Sequence, residues 1–179
     1  MLSGKFRLNL HGSKRVMQAL CVGGNEMEFM EVATLEKFVS KVDSYLKDSK
    51  NQKLVIYPKE SISPWNESQL DEKNADLLSS LSGVANIYAI FVLREGSNLP
   101  DLKYIGKTTK KLARQRLRNH LITKHDLTGA KLADIKSEVK NGNQIKISFV
   151  SIEPESLRNY VEEELINNNR NSSWNRENA

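Results

Sequence analysis

Five stretches of the chain show the short apolar runs or strict polar and apolar alternation expected of β-strands. They are residues 5–10, 53–57, 86–93, 103–109 and 145–152. Between the third and the fourth, a segment rich in glycine, serine, asparagine and proline (residues 96–100) predicts a loop that joins two antiparallel neighbours. Residues 16–22 fit either a strand or a turn of helix, and the pattern leaves both open.

Helical spacing of apolar residues predicts the other elements. Thr34 is a plausible N-cap for a helix over residues 35–47, and shorter or basic helices are predicted over 75–81 and 110–120. A helix over 127–140 ends at Asn141-Gly142-Asn143, and the last long helix covers 155–167. Residues 61–74 are polar and contain Pro64, which predicts a loop. Trp174, alone in a polar tail, is expected to dock and order that tail.

The mixture of strands and helices predicts an α+β protein. A chain of 179 residues is long enough for one core domain and a sizeable extension, but short for two full domains. We expect an N-terminal α/β extension over residues 1–83 and the core over 84–179. No repeat is visible, and the extension holds no recognisable chemical motif.

Positive charge is concentrated in one part of the chain. The net charge of +5 is moderate, but residues 101–125 carry eight cationic side chains against one carboxylate, a local charge of +7. Such a field suits a polyanion such as nucleic acid. The alternative is a solvated helix face with no partner.

The single cysteine, Cys21, excludes a disulfide framework and a cysteine-based metal cluster. No apolar run approaches the length of a membrane span, and residues 1–20 lack the continuous apolar segment of a signal peptide. The composition therefore predicts a cytoplasmic protein without a membrane partner.

At about 100° per residue, the cations of the basic helix lie on two sides of its apolar stripe. Arg116 and His120, four residues apart, lie along one edge of the apolar stripe and are aimed at whatever the helix packs on. The other cations face solvent or phosphate, and they are Lys110, Lys111, Arg114 and Arg118. A lone histidine at such a boundary is commonly a satisfied structural residue, and that alternative stands for His120.

Other candidates are two tyrosines and a run of carboxylates. Tyr88 and Tyr104 occupy neighbouring predicted strands, so their hydroxyls either converge on one polar site or lie separately at the rim of the core. Residues 162–164 are all glutamate, and carboxylates are natural ligands of Mg²⁺. Three in a row also fit a solvated helix face.

The order of these residues resembles the signature of the GIY-YIG nuclease family. The resemblance rests on Ile87-Tyr88, Tyr104-Ile105-Gly106-Lys107, Arg116-x-x-x-His120, Glu162-x-x-Leu165-Ile166 and Trp174-Asn175, and covers roughly half of the chain. Asn86 replaces the first glycine of the family name, and serines replace the proline often found before Trp-Asn. The resemblance implies a small three-stranded antiparallel sheet flanked by helices.

The resemblance also implies a role for each matched residue. Tyr88 or Tyr104 is the general base, with Lys107 as a nearby cation, and an unperturbed phenol needs such positive charge to act at neutral pH. Arg116 holds the scissile phosphate, while His120 and Asn175 orient groups around it. Glu162 binds one Mg²⁺, for which Mn²⁺ can substitute. Counting back from Asn175 favours Glu163 instead.

Among family members, the compact chain is most similar to the type II restriction enzymes. We therefore expect a sequence-specific, homodimeric endonuclease of double-stranded DNA, with a cognate DNA methyltransferase in the host. Residues 1–83 and 122–143 would supply DNA or dimer contacts, and Lys110, Lys111, Arg114 and Arg118 would follow the DNA backbone. The alternatives are a monomeric mobile-element or repair nuclease and a catalytically silent DNA-binding module.

Overall fold

The computed structural model describes residues 21–22, 26–27, 29–123 and 130–175 and divides the chain into two compact units, residues 1–36 and 37–179. In the first unit, β1 (Cys21–Val22) pairs with β2 (Glu26–Met27) in antiparallel register. The strand predicted over residues 5–10 lies outside the described part of the chain. Residues 37–83 belong to the same unit as the predicted core, so the fold does not divide at residue 83.

A four-stranded antiparallel sheet forms the centre of the second unit. Its order is β3 (Lys53–Leu54), β6 (Gln144–Val150), β4 (Ile87–Leu93) and β5 (Asp101–Lys107). β4 is an apolar run because it is a central strand with both faces covered. The α+β class predicted from the sequence is confirmed. The sheet has four described strands where three were predicted, because the short segment at residues 53–54 pairs with β6.

The two faces of β4 contribute to separate apolar cores, since alternate side chains of a strand point in opposite directions. Tyr88, Ile90 and Val92 pack on one side, and Ile87 and Phe91 on the other. The first side is covered by α3 (Glu67–Lys73), α4 (Ala75–Leu81), α5 (Ala113–Leu121) and α6 (Leu132–Lys140). The second is covered by α1 (Val32–Lys47) and α7 (Arg158–Asn168), which gives a helix, sheet and helix layering.

Most predicted helices are confirmed with shifted ends. α1 begins at Val32, so Thr34 lies inside the helix and is not its N-cap. The first residues of the basic segment form a 3-10 turn, Lys110–Leu112, before α5. α6 stops where Gly142 adopts a positive φ of 83°, as the Asn-Gly-Asn sequence predicts. Trp174 is half-buried against the first core, which confirms that the tail docks.

The loop predicted over residues 61–74 is wrong. This segment contains the end of α2 (Lys59–Ile62) and all of α3. The side chain of Asn66 caps α3 by accepting a hydrogen bond from the backbone N–H of Gln69 at 3.1 Å. Only Leu70 of α3 is buried, so the helix has almost no apolar period that a sequence could reveal.

Within the described residues, no helix is long and apolar enough to cross a membrane.

Candidate active site

Three aromatic side chains from three elements meet beneath the first face of the sheet. Tyr88 comes from β4, Tyr104 from β5 and His120 from α5. Their ring centroids are separated by 6.1 Å between the tyrosines, 5.6 Å between Tyr88 and His120, and 5.1 Å between Tyr104 and His120. Tyr88 and His120 are fully buried, whereas Tyr104 is half-buried. The sequence expectation that the two tyrosines share a site agrees with this geometry, and Tyr104 is the one that solvent can reach.

Gly106 allows the two phenols to come together. It lies directly opposite Tyr88 in the β4–β5 register. A Cβ added at Gly106 would lie 2.6 Å from the hydroxyl of Tyr88 and 2.7 Å from a ring carbon of Tyr104. These distances are shorter than a van der Waals contact and involve rigid rings. The glycine of the Tyr-Ile-Gly triplet is therefore required here by close approach and not by backbone conformation.

His120 is held in one tautomer by two hydrogen bonds. Its Nδ1 accepts from the backbone N–H of Lys131 at 3.1 Å, and its Nε2 lies 2.9 Å from the Tyr88 hydroxyl. Because Nδ1 accepts, the proton of the neutral ring is on Nε2, which donates to the Tyr88 oxygen. Burial, with the positive charges of Arg116 and Lys131, lowers the pKa of His120 from 6.5 to about 3. His120 is therefore a neutral donor at physiological pH.

Lys131 belongs to this cluster although the sequence did not single it out. In addition to its backbone contact with His120, its ammonium lies 5.6 Å from the centre of the Tyr104 ring. Lys131 immediately precedes α6, eleven residues after His120 in the chain. No local spacing rule connects two residues at that distance, so the sequence carried no signal for it.

Arg116 lies one turn before His120 and influences both phenols. Burial raises the pKa of Tyr88 and of Tyr104, and the Arg116 guanidinium opposes that rise through its charge and hydrogen bonding. The neighbouring phenol raises the pKa of Tyr88 further, whereas contact with the Tyr88 hydroxyl lowers that of Tyr104. Tyr88 is also fully buried and Tyr104 only half-buried. A phenolate is therefore less disfavoured at Tyr104 than at Tyr88.

Glu162 is the carboxylate closest to these groups. It lies on α7, is half-buried, and pairs with Lys107 of β5 at 2.6 Å. Its negative charge raises the pKa of Tyr104, after the larger effect of burial. Glu163 is exposed on another face of the helix. Of the two glutamates left open by sequence spacing, Glu162 is therefore the one near Tyr104 and Lys107.

Asn175 does not reach into the cluster. Its amide holds the backbone of β5, accepting from the N–H of Ile105 at 3.0 Å and donating to its carbonyl at 2.8 Å. Trp174 adds a backbone hydrogen bond to the carbonyl of Lys103 at 2.9 Å. Asn175 thus supports the strand between Tyr104 and Gly106, and its orienting role in the site stays a prediction.

Asn86 makes the same kind of contact at the start of β4. Its buried side chain accepts from the backbone N–H of Ile152 at 2.7 Å and donates to the carbonyl of Ile152 at 2.8 Å. Asn86 stands where the GIY-YIG signature has its first glycine, and here its side chain links the start of β4 to the chain that follows β6. No residue pattern around Asn86 indicates this role, because its partner lies 66 residues further along the chain.

Of the four cations predicted to contact the DNA backbone, two form ion pairs with carboxylates and two are exposed. The guanidinium of Arg118 is bound by both carboxylate oxygens of Asp71, and Lys110 pairs with Glu153. Lys111 and Arg114 are exposed. The DNA contacts remain predictions for all four, but the structure gives Arg118 and Lys110 intramolecular partners that would have to be shared or released.

Comparisons of this chain with protein-family models, with curated proteins and with solved structures each find no match.

Proposed function

We propose that this chain is a Mg²⁺-dependent endonuclease that hydrolyses phosphodiester bonds of double-stranded DNA by GIY-YIG-type chemistry. One observation carries the proposal: a buried histidine, two neighbouring tyrosines and an arginine meet beside a lysine–glutamate pair. These side chains come from four separate elements and are Tyr88, Tyr104, Lys107, Arg116, His120 and Glu162. In this proposal, β6, β4 and β5 form the three-stranded family sheet and β3 is an added strand.

Tyr104 is the better placed of the two candidate bases. A base must reach the attacking water, and Tyr104 is half-exposed whereas Tyr88 is fully buried. His120 donates to Tyr88, and contact with the Tyr88 hydroxyl in turn lowers the pKa of Tyr104. Arg116 adds positive charge at the same place. These effects oppose the rise in the pKa of Tyr104 that burial causes.

Arg116 also fits a second task. Its guanidinium is half-buried and close to both hydroxyls, so a phosphate bound there would lie next to the water that Tyr104 activates. A guanidinium presents several N–H donors in a fixed plane and stabilises the charge that develops on a phosphate during attack. His120 is neutral and does not compete for that charge.

Glu162 fits Mg²⁺ held jointly by protein and substrate. Within the described residues, no three or more histidine, cysteine, aspartate or glutamate side chains form a group able to hold a metal ion. Mg²⁺ commonly takes one or two protein carboxylates and completes its shell with water and phosphate oxygens, which a single half-buried glutamate can satisfy. When bound, Mg²⁺ supplies charge stabilisation at the leaving oxygen. Lys107 shares the carboxylate and would give up part of that contact.

The test is to incubate the protein with long duplex DNA and Mg²⁺ or Mn²⁺ and to sequence the ends produced. Discrete ends at one short palindrome support the restriction type, with its homodimer and its partner methyltransferase. Scattered ends support the monomeric repair or mobile-element type. Salt-sensitive DNA binding with no cleavage in either metal would contradict the nuclease proposal and leave a silent binding module.

Paired variants test the assignment of residues. Arg116→Ala and Glu162→Ala should abolish cleavage, while the exposed neighbours Arg114→Ala and Glu163→Ala should keep the chemical step. Single-turnover rates with saturating enzyme separate loss of chemistry from loss of binding. Cleavage by Glu162→Ala together with inactivity of Glu163→Ala would overturn the metal assignment.

A further comparison concerns the base. Tyr104→Phe should lower the single-turnover rate more than Tyr88→Phe, because the second variant keeps the oxygen that faces the water. The reverse order of rates would contradict Tyr104 as the base.

A further inference from the structure

A polar hollow of about 720 Å³ opens beside the beginning of β5, on the same strand that carries Tyr104. It is formed by the first residues of β5, the last turn of α1, the end of α7 and the loop that follows α7. The last two residues of α7 and the start of this loop have the sequence Asn167-Asn168-Asn169-Arg170-Asn171, an unusual density of amides around one guanidinium. Nothing in the proposed chemistry uses this hollow.

The hollow has surplus positive charge. Lys47, Lys103 and Arg170 line it, and the lining contains one carboxylate, that of Asp101. Lys47 is paired with Asp43 of α1 at 2.7 Å, so the surplus comes from Lys103 and Arg170. That carboxylate is shared, because it lies 3.3 Å from a guanidinium nitrogen of Arg94 and 3.8 Å from the ammonium of Lys103. The Lys103 side chain is only 14% exposed, so its ammonium is held in place at the wall of the hollow. This charge balance favours an anionic ligand such as a nucleic acid.

The amides and the guanidinium supply a second kind of recognition. Asn167, Asn168, Arg170 and Asn171 are all exposed. Asparagine can pair through two hydrogen bonds with adenine, and arginine with guanine, at the major-groove edges of the bases. Lysine contacts to phosphate would position the duplex but would carry no sequence information. The amides and the guanidinium of residues 167–171 are therefore suited to hydrogen bonding with base edges as well as to contacts with the DNA backbone.

The loop is also fixed to α1 and to the end of α7. The side chain of Asn169 donates to Asp43 of α1 at 2.9 Å and to the carbonyl of Leu165 at 2.8 Å. Ser172 returns two hydrogen bonds to the Asn169 carbonyl, at 2.9 and 2.6 Å from its N–H and its hydroxyl. A reading element must be held rigidly to discriminate bases, and these contacts hold the loop from both ends.

The distance is appropriate for one bound duplex. β5 runs from Asp101 beside the hollow to Lys107 beside Glu162, a length of about 20 Å at roughly 3.3 Å per residue. At about 3.4 Å per base pair, this span corresponds to roughly six base pairs.

We infer that residues 167–171 read base edges of the duplex within about six base pairs of the cut. This inference rests on the proposed nuclease function. Arg170 and Asn171 supply the base contacts, and Lys103 contacts a neighbouring phosphate.

The experiment is cleavage of a pool of duplexes with randomised sequence, with the ends sequenced for wild type, Arg170→Ala, Asn171→Ala and Asn159→Ala. Arg170 and Asn171 are exposed, so their variants should fold, which thermal unfolding verifies. Asn171→Ala removes no charge and therefore separates base contacts from a loss of charge. Asn159→Ala removes one exposed amide near the start of α7, outside the lining of the hollow, and is the matched control for Asn171→Ala.

We expect the wild type to show base preferences near the cut, and each loop variant to lose its preference at one or two of those positions. Cleavage of the best wild-type sequence should fall by about tenfold or more in each loop variant, and Asn159→Ala should retain the wild-type pattern. Unchanged preferences in both loop variants, or slower cleavage with unchanged preferences, would overturn the inference. Wild-type cleavage without any base preference would overturn it and leave the nuclease proposal standing, whereas no wild-type cleavage would overturn both.

Discussion

Replacing His120 with glutamine should make the free energy of unfolding less dependent on pH. His120 is fully buried, and burial together with two neighbouring cations lowers its pKa from 6.5 to about 3. Between these values, the unfolded chain binds a proton at His120 and the folded chain does not. Acid therefore favours unfolding, and the stability contributed by the neutral ring is lost as the pH falls below 6.5.

The size of the effect follows from the two pKa values. Relative to pH 7, protonation of His120 in the unfolded chain should lower the free energy of unfolding by about 0.7 kcal/mol at pH 6 and about 2 kcal/mol at pH 5. Because pH 5 is well above the folded pKa, the result hardly changes if that pKa is 4 instead of 3. The glutamine variant lacks this contribution at every pH.

The assay is urea denaturation of both proteins at pH 7, 6 and 5 at constant ionic strength. The stability advantage of wild type over His120→Gln should shrink by about 2 kcal/mol between pH 7 and pH 5. Tyr88→Phe is the control, since it removes the hydrogen-bond partner but keeps the buried histidine, and it should follow the wild-type pH dependence. An advantage that stays constant within about 0.5 kcal/mol would refute a buried, neutral His120.

Three further substitutions test structural roles. Gly106→Ala should lower the free energy of unfolding by roughly 1–3 kcal/mol and change the near-ultraviolet circular dichroism, because its methyl group meets both phenol rings; unchanged stability and spectrum would contradict this close packing. Asn86→Gly introduces the glycine of the GIY-YIG signature but loses both hydrogen bonds to Ile152, so urea denaturation should show a free energy of unfolding lower by about 2 kcal/mol. Wild-type stability would contradict a role for Asn86 in linking β4 to Ile152. Arg118→Ala should lower the free energy of unfolding by about 1 kcal/mol by breaking the pair with Asp71. Fluorescence anisotropy measures its predicted DNA contact separately: a loss of affinity of several-fold would support that contact, and unchanged affinity would contradict it.

The fold was predictable from the sequence where the signal is local. β4, β5 and β6 are compact apolar or alternating runs, and α4 and α7 are close to their predicted bounds. The pairing of residues 53–54 with β6 was not predictable, because it joins segments about ninety residues apart. α3 was missed for a different reason. It buries one leucine and is otherwise polar, so it has an N-cap residue, Asn66, but no helical repeat of apolar residues.

In the candidate site, too, some residues were predictable from local spacing and others depend on tertiary packing. Arg116 and His120 follow from helical spacing, and the alternation of strands brings Tyr88 and Tyr104 to one face. The orientation of Glu162 toward Lys107 depends on how α7 packs on the sheet, which spacing alone left undecided. Lys131 contacts His120 through its backbone N–H. Any residue except proline could make this hydrogen bond, so the identity of residue 131 does not predict it.

The contacts of Trp174 and Asn175 have a consequence for assembly. β5 is the outer strand on its side of the sheet, and an unpaired outer strand is a template for adding a strand from another molecule. Here the outward N–H and carbonyl of Ile105 and the carbonyl of Lys103 are already occupied by the tail of the same chain. A second copy therefore cannot extend the sheet across this stretch of β5 without displacing the tail. The tail thus protects the chain against edge-to-edge aggregation there, and a functional dimer would have to use another surface.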